Sequence, residues 1–585
     1  MVSGPLRILV FVLLRLSLVV LLWGVAFRGA TAEVLVEGVD SKIRDNLLVY
    51  MRLDDEACDA PDWRIRRLFA EADGEIREAL EVAGYYNVEI SKELGKGASC
   101  WQARFIVTPG QPVLLRKVSI EIDTGTAQDD ELQKVVKQCA LEPGDVFQHA
   151  NYDACRRLIT KVAQSRGYFS KEFIARRIDV YPDEFAADIS LHLLTGPRYV
   201  FGEISFEQEV LDPELVERFV TLVPGEPYDA ERVRRLQRDF ISSTYFDQVV
   251  FAREPRGAPY FDVPIRVELT PGKKFQYSAG VGFATDVGPK IRGGILNRRI
   301  NAAGHQGEIE ANLSRVISDI GATYRMPLTK PRDWLTFDTR YKLEDNDSFK
   351  SKLFTGGAQR IQRRANDWIR TLFLELRLED YEAGTVQDDY SKLLTPGIGY
   401  AFVYEDYPPR PLAGHRTNVQ LRGAVDGFVS DTSFLQLYGN TKWVFALWQG
   451  ARLLTRAEAG FTAIDQFRDL PASVRFFAGG DVSVRGYAYN SLGPTDPLGA
   501  VIGGSNLLVG SVEIDQQVAV NWSIAAFIDS GNAYDDLKDF DPATGVGAGM
   551  RWYSPLGPIR IDVAVPLQKD APDDYRFHIT LGPDL

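Results

Sequence analysis

Histidine and cysteine are scarce in this chain of 585 residues, which holds five of the first and four of the second. Little material is left for metal chemistry, and the cysteines lack the C-x₂₋₄-C spacing of a zinc site. Methionine, also four, is outnumbered by 32 Phe and 24 Tyr, a balance that favours strands over helices. Positive charge is in deficit, with 67 Lys and Arg against 80 Asp and Glu. The net charge of -13 excludes bulk attraction to nucleic acid. Beyond Phe27 no stretch reaches ~18 consecutive apolar residues, which excludes a later membrane-spanning helix. No G-x-x-x-x-G-K-[ST] loop and no G-x-S-x-G elbow occurs, and the histidines (His149, His192, His305, His415, His578) are scattered. The chain is therefore read as no enzyme, with no metal and no cofactor.

What is present begins with an address. Arg7 leads an apolar run over residues 8–27, broken once by Arg15, and Ala30-Thr31-Ala32 follows with small side chains. Residues 1–32 read as a secretory signal peptide removed before Glu33. In an oxidising compartment Cys58, Cys100, Cys139 and Cys155 are expected to form disulfides, with three pairings open. Cys58–Cys100 and Cys139–Cys155 are favoured because each pair then stays within one copy of a repeat.

That repeat is visible in the aromatics. Gly84-Tyr85-Tyr86, Gly167-Tyr168-Phe169 and Thr244-Tyr245-Phe246 each end a helical pattern and begin a strand. Each following strand pair closes on Thr108-Pro109-Gly110, Thr195-Gly196-Pro197 or Thr270-Pro271-Gly272. Ile65, Leu68, Ala72, Ile76 and Leu80 form an apolar stripe at helical spacing in the first copy, as do Tyr152, Cys155, Ile159 and Val162 in the second. Each copy reads strand–helix–helix–strand–strand, over 33–110, 111–196 and 197–272. The stripes and corner aromatics read as core; an exposed sheet edge is the surface that would accept a partner's strand.

From Phe275 the period changes to two. Phe275, Tyr277, Ala279, Val281 and Phe283 alternate with Gln276, Ser278, Gly280 and Gly282, and Tyr575, Phe577, Ile579 and Leu581 alternate with Arg576, His578 and Thr580. At roughly 19 residues per membrane strand and turn, residues 273–585 provide about 16 strands of an all-β transmembrane barrel.

Three segments then occur in order: Phe476 through Tyr487, containing Gly479-Gly480 and Val484-Arg485-Gly486-Tyr487; Phe527-Ile528-Asp529-Ser530-Gly531; and Gly547 through Arg560. Together they resemble the outer-membrane insertase and transporter superfamily, whose small modules are polypeptide-transport-associated (POTRA) domains. The resemblance implies α+β POTRA modules followed by a barrel with a long loop, around 479–504, folded inward. Alternation puts Glu513 and Asp529 on lumen-facing register, and the resemblance implies that Arg485 reaches them and pins the loop.

The last strand ends in Gly582-Pro583, and Pro583 cannot donate to a ladder; Gly280 and Gly282 weaken the first strand. A weak seam is expected between Tyr277–Gly282 and Phe577–Leu581, leaving a latent edge near Val281 and Ile579. Three modules and this ending most resemble the outer-membrane subunits of the translocation and assembly module, the TamA family. Members of that family imply insertion of autotransporters and other β-barrel clients into a lipid bilayer, a large inner-membrane-anchored periplasmic partner, no nucleic acid, and a Gram-negative outer membrane with the modules in the periplasm. The alternatives are a two-partner secretion pore, which two modules and a plugging helix would favour, a central barrel-assembly subunit, which five modules would mark, and a barrel-borne surface enzyme.

Overall fold

The computed structural model describes residues 33–581 apart from 97–99, 126–128, 329–331, 365, 385–386, 407–409, 428, 555–556, 569–570 and 572. The expected signal peptide and the Gly582-Pro583 ending lie outside the described residues.

The first module runs β1 (Glu33–Glu37), α1 (Ser41–Tyr50), α2 (Asp62–Val82), β2 (Glu89–Lys96) and β3 (Trp101–Thr108), with β3 central and β1 parallel to it. Asp40 starts α1 by accepting the Ile43 N–H at 2.9 Å, one of the donors a helix start leaves unpaired. The stripe Ile65, Leu68, Ala72, Ile76 and Leu80 is buried against Ala103, Phe105 and Val107 of β3. The second module repeats the order: β4 (Leu114–Asp123), α3 (Asp130–Val136), α4 (His149–Ser165), β5 (Glu172–Tyr181) and β6 (Ala186–Leu194). So does the third: β7 (Val200–Glu207), α5 (Pro213–Glu217), α6 (Ala230–Ser242), β8 (Phe246–Arg253) and β9 (Asp262–Pro271). Disulfides join Cys58 to Cys100 and Cys139 to Cys155, one pair in each of the first two modules.

The recurring corner does more than fill a core. Gly84 (φ 98°) and Gly167 (φ 92°) sit where a side chain would strike the module that follows. A Cβ on Gly84 would lie 2.2 Å from the Phe147 carbonyl oxygen, and one on Gly167 would lie 2.9 Å from Tyr228 Cβ. In the third copy Thr244 takes the left-handed conformation at φ 65°, normally a glycine's place. It is held there by Gln306, whose side-chain amide donates to Thr244 Oγ1 and to the Ser243 carbonyl, both at 3.1 Å. Tyr245, fully buried, donates through its hydroxyl to the Gly304 carbonyl at 2.5 Å. Gly304 and Gln306 belong to the barrel, so this corner is a docking joint, which the core reading from sequence did not foresee.

The third module, expected at 197–272, runs from β7 to β9 with its strands in one sheet of order β7-β9-β8. The chain forms two compact units: one holds the first two modules with Pro224–Glu231 and Arg253–Ile265, the other holds the barrel with Ile204–Val223 and Arg232–Ala252.

Sixteen antiparallel strands, from β10 (Phe275–Ala284) to β25 (Arg576–Leu581), close into a barrel. Outward residues are greasy and bare: Tyr277, Val281, Ile291, Ile309, Leu313, Leu435, Phe461 and Ile524 are all exposed. Their inward neighbours are charged or small. Such an exterior is stable only against acyl chains.

Candidate functional site: a locked loop beside a weak seam

Between β20 (Ala451–Ile464) and β21 (Asn506–Ala519) the chain leaves the wall and folds inward. Val484 and Tyr487 pack there with Phe476, Ala478, Leu507, Val509, Ala533 and Ala543 in one apolar cluster. Gly479, Gly480 and Gly486 all take positive φ, near 100°, which allows the tight reversal between them. Arg485 follows Val484 and is 7% exposed.

Three neighbouring strands receive it. From β22 (Trp522–Tyr534), Asp529 accepts Arg485 Nε at 2.7 Å, Nη2 at 3.0 Å and the Arg485 backbone N–H at 3.1 Å. From β21, Glu513 accepts Nη1 at 2.9 Å; from β24 (Gly557–Pro566), Asp562 accepts Nη1 at 3.0 Å. The guanidinium carbon lies 3.3 Å from the centroid of the Phe527 ring. Arg551 on β23 (Ala543–Ser554) bridges the same acids, to Glu513 Oε1 at 2.9 Å and Asp562 Oδ1 at 2.5 Å. Arg456 on β20 donates to the carbonyls of Val482 and Ser483 and so holds the loop's flank. Three guanidiniums thus accompany three carboxylates, the condition for burying so many charges.

The sequence pointed to Arg485, Glu513, Asp529 and Phe527, and these four are brought together. It missed Asp562, Arg551 and Arg456, which give no signal beyond lumen-facing register. It also passed over Gly545, Gly547 and Gly549, glycines alternating on the inner face of β23. A Cβ on Gly545 would lie 1.9 Å from the Arg485 carbonyl oxygen, on Gly547 2.4 Å from Phe527 Cζ, and on Gly549 1.8 Å from Asp562 Oδ1. They form a flat track on β23, with Gly545 under the loop backbone, Gly547 under Phe527 and Gly549 under Asp562. Gly531 plays a different part: its Cβ would meet the Leu508 carbonyl at 2.4 Å, so it permits close strand pairing.

The seam lies beside this loop. Among the described residues β10 and β25 pair only at Ala284↔Thr580, with Thr285 N–H donating to the Ile579 carbonyl at 3.1 Å and Ile579 N–H to Thr285 Oγ1 at 2.7 Å. By contrast β10 pairs with β11 (Gly288–Asn297) at ten positions from Phe275 to Ala284. Phe275 through Val281 are exposed on both faces of β10, and Tyr277 and Val281 are among the barest side chains, at 73% and 82%. Phe577, Ile579 and Leu581 turn outward on β25 and pair with β24. The register sets Ala284, not Val281, opposite the end of β25, and Ile579 lies beside Thr285.

Against the inner side of the seam, Asp286, Asp481 and His578 bring their ligand atoms within 4.8 Å of one another. Of these His578 had been dismissed as scattered. Its partner in β24 is Asp562, so it continues the arginine network toward the seam.

Known proteins share parts of this geometry. Residues 301–584 match the Omp85 superfamily domain, and residues 33–109 match the first POTRA domain of TamA. The barrel is thus similar to Omp85 superfamily domains. Similar proteins include the outer membrane protein assembly factor BamA of Neisseria meningitidis serogroup B, 25% identical over 540 residues that make up 80% of this chain and 66% of that one. BamA of Nitratidesulfovibrio vulgaris is 24% identical over 508 residues, 82% of this chain and 63% of that one. The chain therefore aligns with just under two thirds of the length of these relatives. The crystal structure of BamA from Haemophilus ducreyi lacking POTRA domains 1-3 superposes with a TM-score of 0.61 at 17% identity, covering 80% of this chain and 99% of that one. A closed sixteen-strand barrel preceded by α/β modules is thereby the fold of this chain.

Proposed function

We propose that this chain is an outer-membrane protein insertase that carries autotransporters and other β-barrel clients into the bilayer through the β10–β25 seam. The Omp85 barrel, its apolar exterior and the BamA relatives support an outer-membrane insertase; the TamA-type first module favours the autotransporter role and a large inner-membrane-anchored periplasmic partner, with the modules facing the periplasm. The reading needs no enzyme chemistry, cofactor or nucleic acid.

One observation carries it. In an otherwise fully laddered wall, β10 has a single described pairing with β25 and leaves Phe275 to Phe283 without a described partner on that side. Unpaired N–H and C=O groups in a bilayer cost several kcal/mol each, so a client strand that pairs with them is strongly favoured. The test is a cysteine pair at Ala284 and Thr580, which face each other without exchanging hydrogen bonds, the closer of the two antiparallel pairings. In liposomes the oxidised A284C/T580C protein should stop client insertion and the reduced protein should restore it. Equal insertion in both states would refute the seam route.

A further inference from the structure

Asp286, Asp481 and His578 come from three separate parts of the chain: the turn after the first strand, the inward loop, and the last strand. Asp481 N–H donates to Asp286 Oδ2 at 2.5 Å, and Asp286 N–H donates back to Asp481 Oδ2 at 3.3 Å. The other oxygen of Asp481 lies 2.5 Å from His578 Nδ1. Gly486 N–H, at the far end of the same loop turn, points at His578 Nε2 from 2.9 Å. His578 is 1% exposed, so neither bond is shared with bulk water.

The donors settle the ring's state. A backbone N–H only donates, so Nε2 accepts, and the ring hydrogen sits on Nδ1 facing Asp481. A nitrogen that carries a proton offers no lone pair to a cation, and moving the proton to Nε2 would set two donors against each other at Gly486. The cluster is therefore built for hydrogen bonding rather than for metal. Its other charged neighbours are Asp562, opposite His578 on β24, and Arg576 two residues along β25.

We propose that this cluster is a clasp: the loop turn 481–486 grips the first hairpin through Asp286 and the last strand through His578, and so holds the seam shut. The placement is what a clasp requires. Among the described residues, what joins β10 to β25 is the pairing Ala284↔Thr580 and the two bonds of Thr285, one through its backbone and one through its hydroxyl, immediately beside Asp286 on one strand and His578 on the other. The loop itself is anchored to β20, β21, β22 and β24 through Arg456 and Arg485. Withdrawal of the loop and release of the last paired end of β10, at Ala284 and Thr285, are then one event. The inference rests on the seam reading above and adds its control element.

The test measures closure without any client. In the full-length A284C/T580C protein, the effective concentration of the cysteine pair against a glutathione redox buffer reports how often the seam is closed, read by peptide mass so that the two native disulfides are counted apart. His578→Phe keeps the ring volume and loses both bonds; Asp481→Ala removes the bridge from the loop side. Each should lower the effective concentration about tenfold, equal to about 1.4 kcal/mol, and the double variant should fall little further, because both cut one connection. His578→Gln, able to donate and accept, should recover part of the loss. An unchanged value in both H578F and D481A, in protein that still shows heat-modifiable migration, overturns the clasp. Should either variant fail to fold, the Gln variant and Asp286→Ala carry the same measurement. Continued insertion by the oxidised pair would instead defeat the seam route for clients and leave the clasp standing.

Discussion

Arg485 and Asp529 form a two-pronged ion pair inside the barrel, Nε to one carboxylate oxygen at 2.7 Å and Nη2 to the other at 3.0 Å. Ser511 adds its hydroxyl to the same carboxylate at 2.6 Å, and Phe527 closes the cation's remaining face. Removing Arg485 leaves Glu513, Asp529 and Asp562 facing Arg551 and Arg456 alone. Arg485→Ala should therefore destabilise the docked loop by roughly 3–5 kcal/mol, the cost of breaking a buried pair. Arg485→Lys should recover little, since an ammonium offers no planar fork. Protease cleavage within 479–504 of the folded barrel measures it: rapid cutting is expected in both variants and slow cutting in the parent.

The glycine track makes a second prediction that charge does not enter. Gly545→Ala places a methyl where the Arg485 carbonyl oxygen now lies. Backbone on both sides leaves nothing flexible to yield, so the loop must rise off β23. Overpacking of this kind costs about 1–3 kcal/mol. The same protease assay should show intermediate sensitivity, and Gly510→Ala, which meets nothing within 4 Å, should behave as the parent.

These two cases mark how far the sequence reaches. Alternation alone put Glu513 and Asp529 on the inner face, because a strand's period of two leaves no freedom once one greasy face is known. It gave the same register to Asp562, Arg551 and His578, yet nothing in one strand's pattern says which inward residues meet across the lumen. That depends on the order of strands around the wall and on where a loop of some forty residues comes to rest. The repeated Gly-Tyr corner was visible as a repeat, but its role at each junction depends on contacts with residues 59 to 63 positions away, such as Phe147, Tyr228 and Gly304. The seam was legible in part: Gly280 and Gly282 weaken the edge, while the pairing register at Ala284 is a property of closure.

Asp129, outside the barrel in the second module, should make that module acid-sensitive. Burial works against its charge, but Arg166 donates to it at 2.7 Å, Arg198 stands 3.5 Å away, and helix α3 offers the Glu131 N–H. These hold its carboxyl below the usual carboxylate range. A pKa lowered by folding means that the charged form carries the stability: it is fully present above about pH 4 and is lost as pH falls through the lower folded value. Asp129→Asn should reduce stability at neutral pH and flatten the acid limb. Amide hydrogen exchange in α3 and α4, followed from pH 6 to pH 3, should show the parent opening on acidification and the variant nearly level after correction for intrinsic rates.

Tyr245 is the last joint to test, and it separates docking from core packing. Burial pushes its phenol up, so the hydroxyl keeps its proton and donates to Gly304 at any working pH. Tyr245→Phe retains the ring in its pocket and strands the Gly304 carbonyl, a loss of about 1–3 kcal/mol. If the corner were only core, the change would be felt evenly through the third module. As a joint, it should instead release the segment fixed to the barrel turn: amides of β8 and α6 nearest the corner should exchange about fivefold faster or more, while β11 and the rest of the wall keep their protection. Gly304→Ala should act in the same direction and more strongly, because its Cβ would lie 2.4 Å from Leu215 Cδ2 and 2.7 Å from the Tyr245 hydroxyl, at a φ of 75° that favours glycine. Uniform exchange across the module in both variants would return Tyr245 to an ordinary core residue.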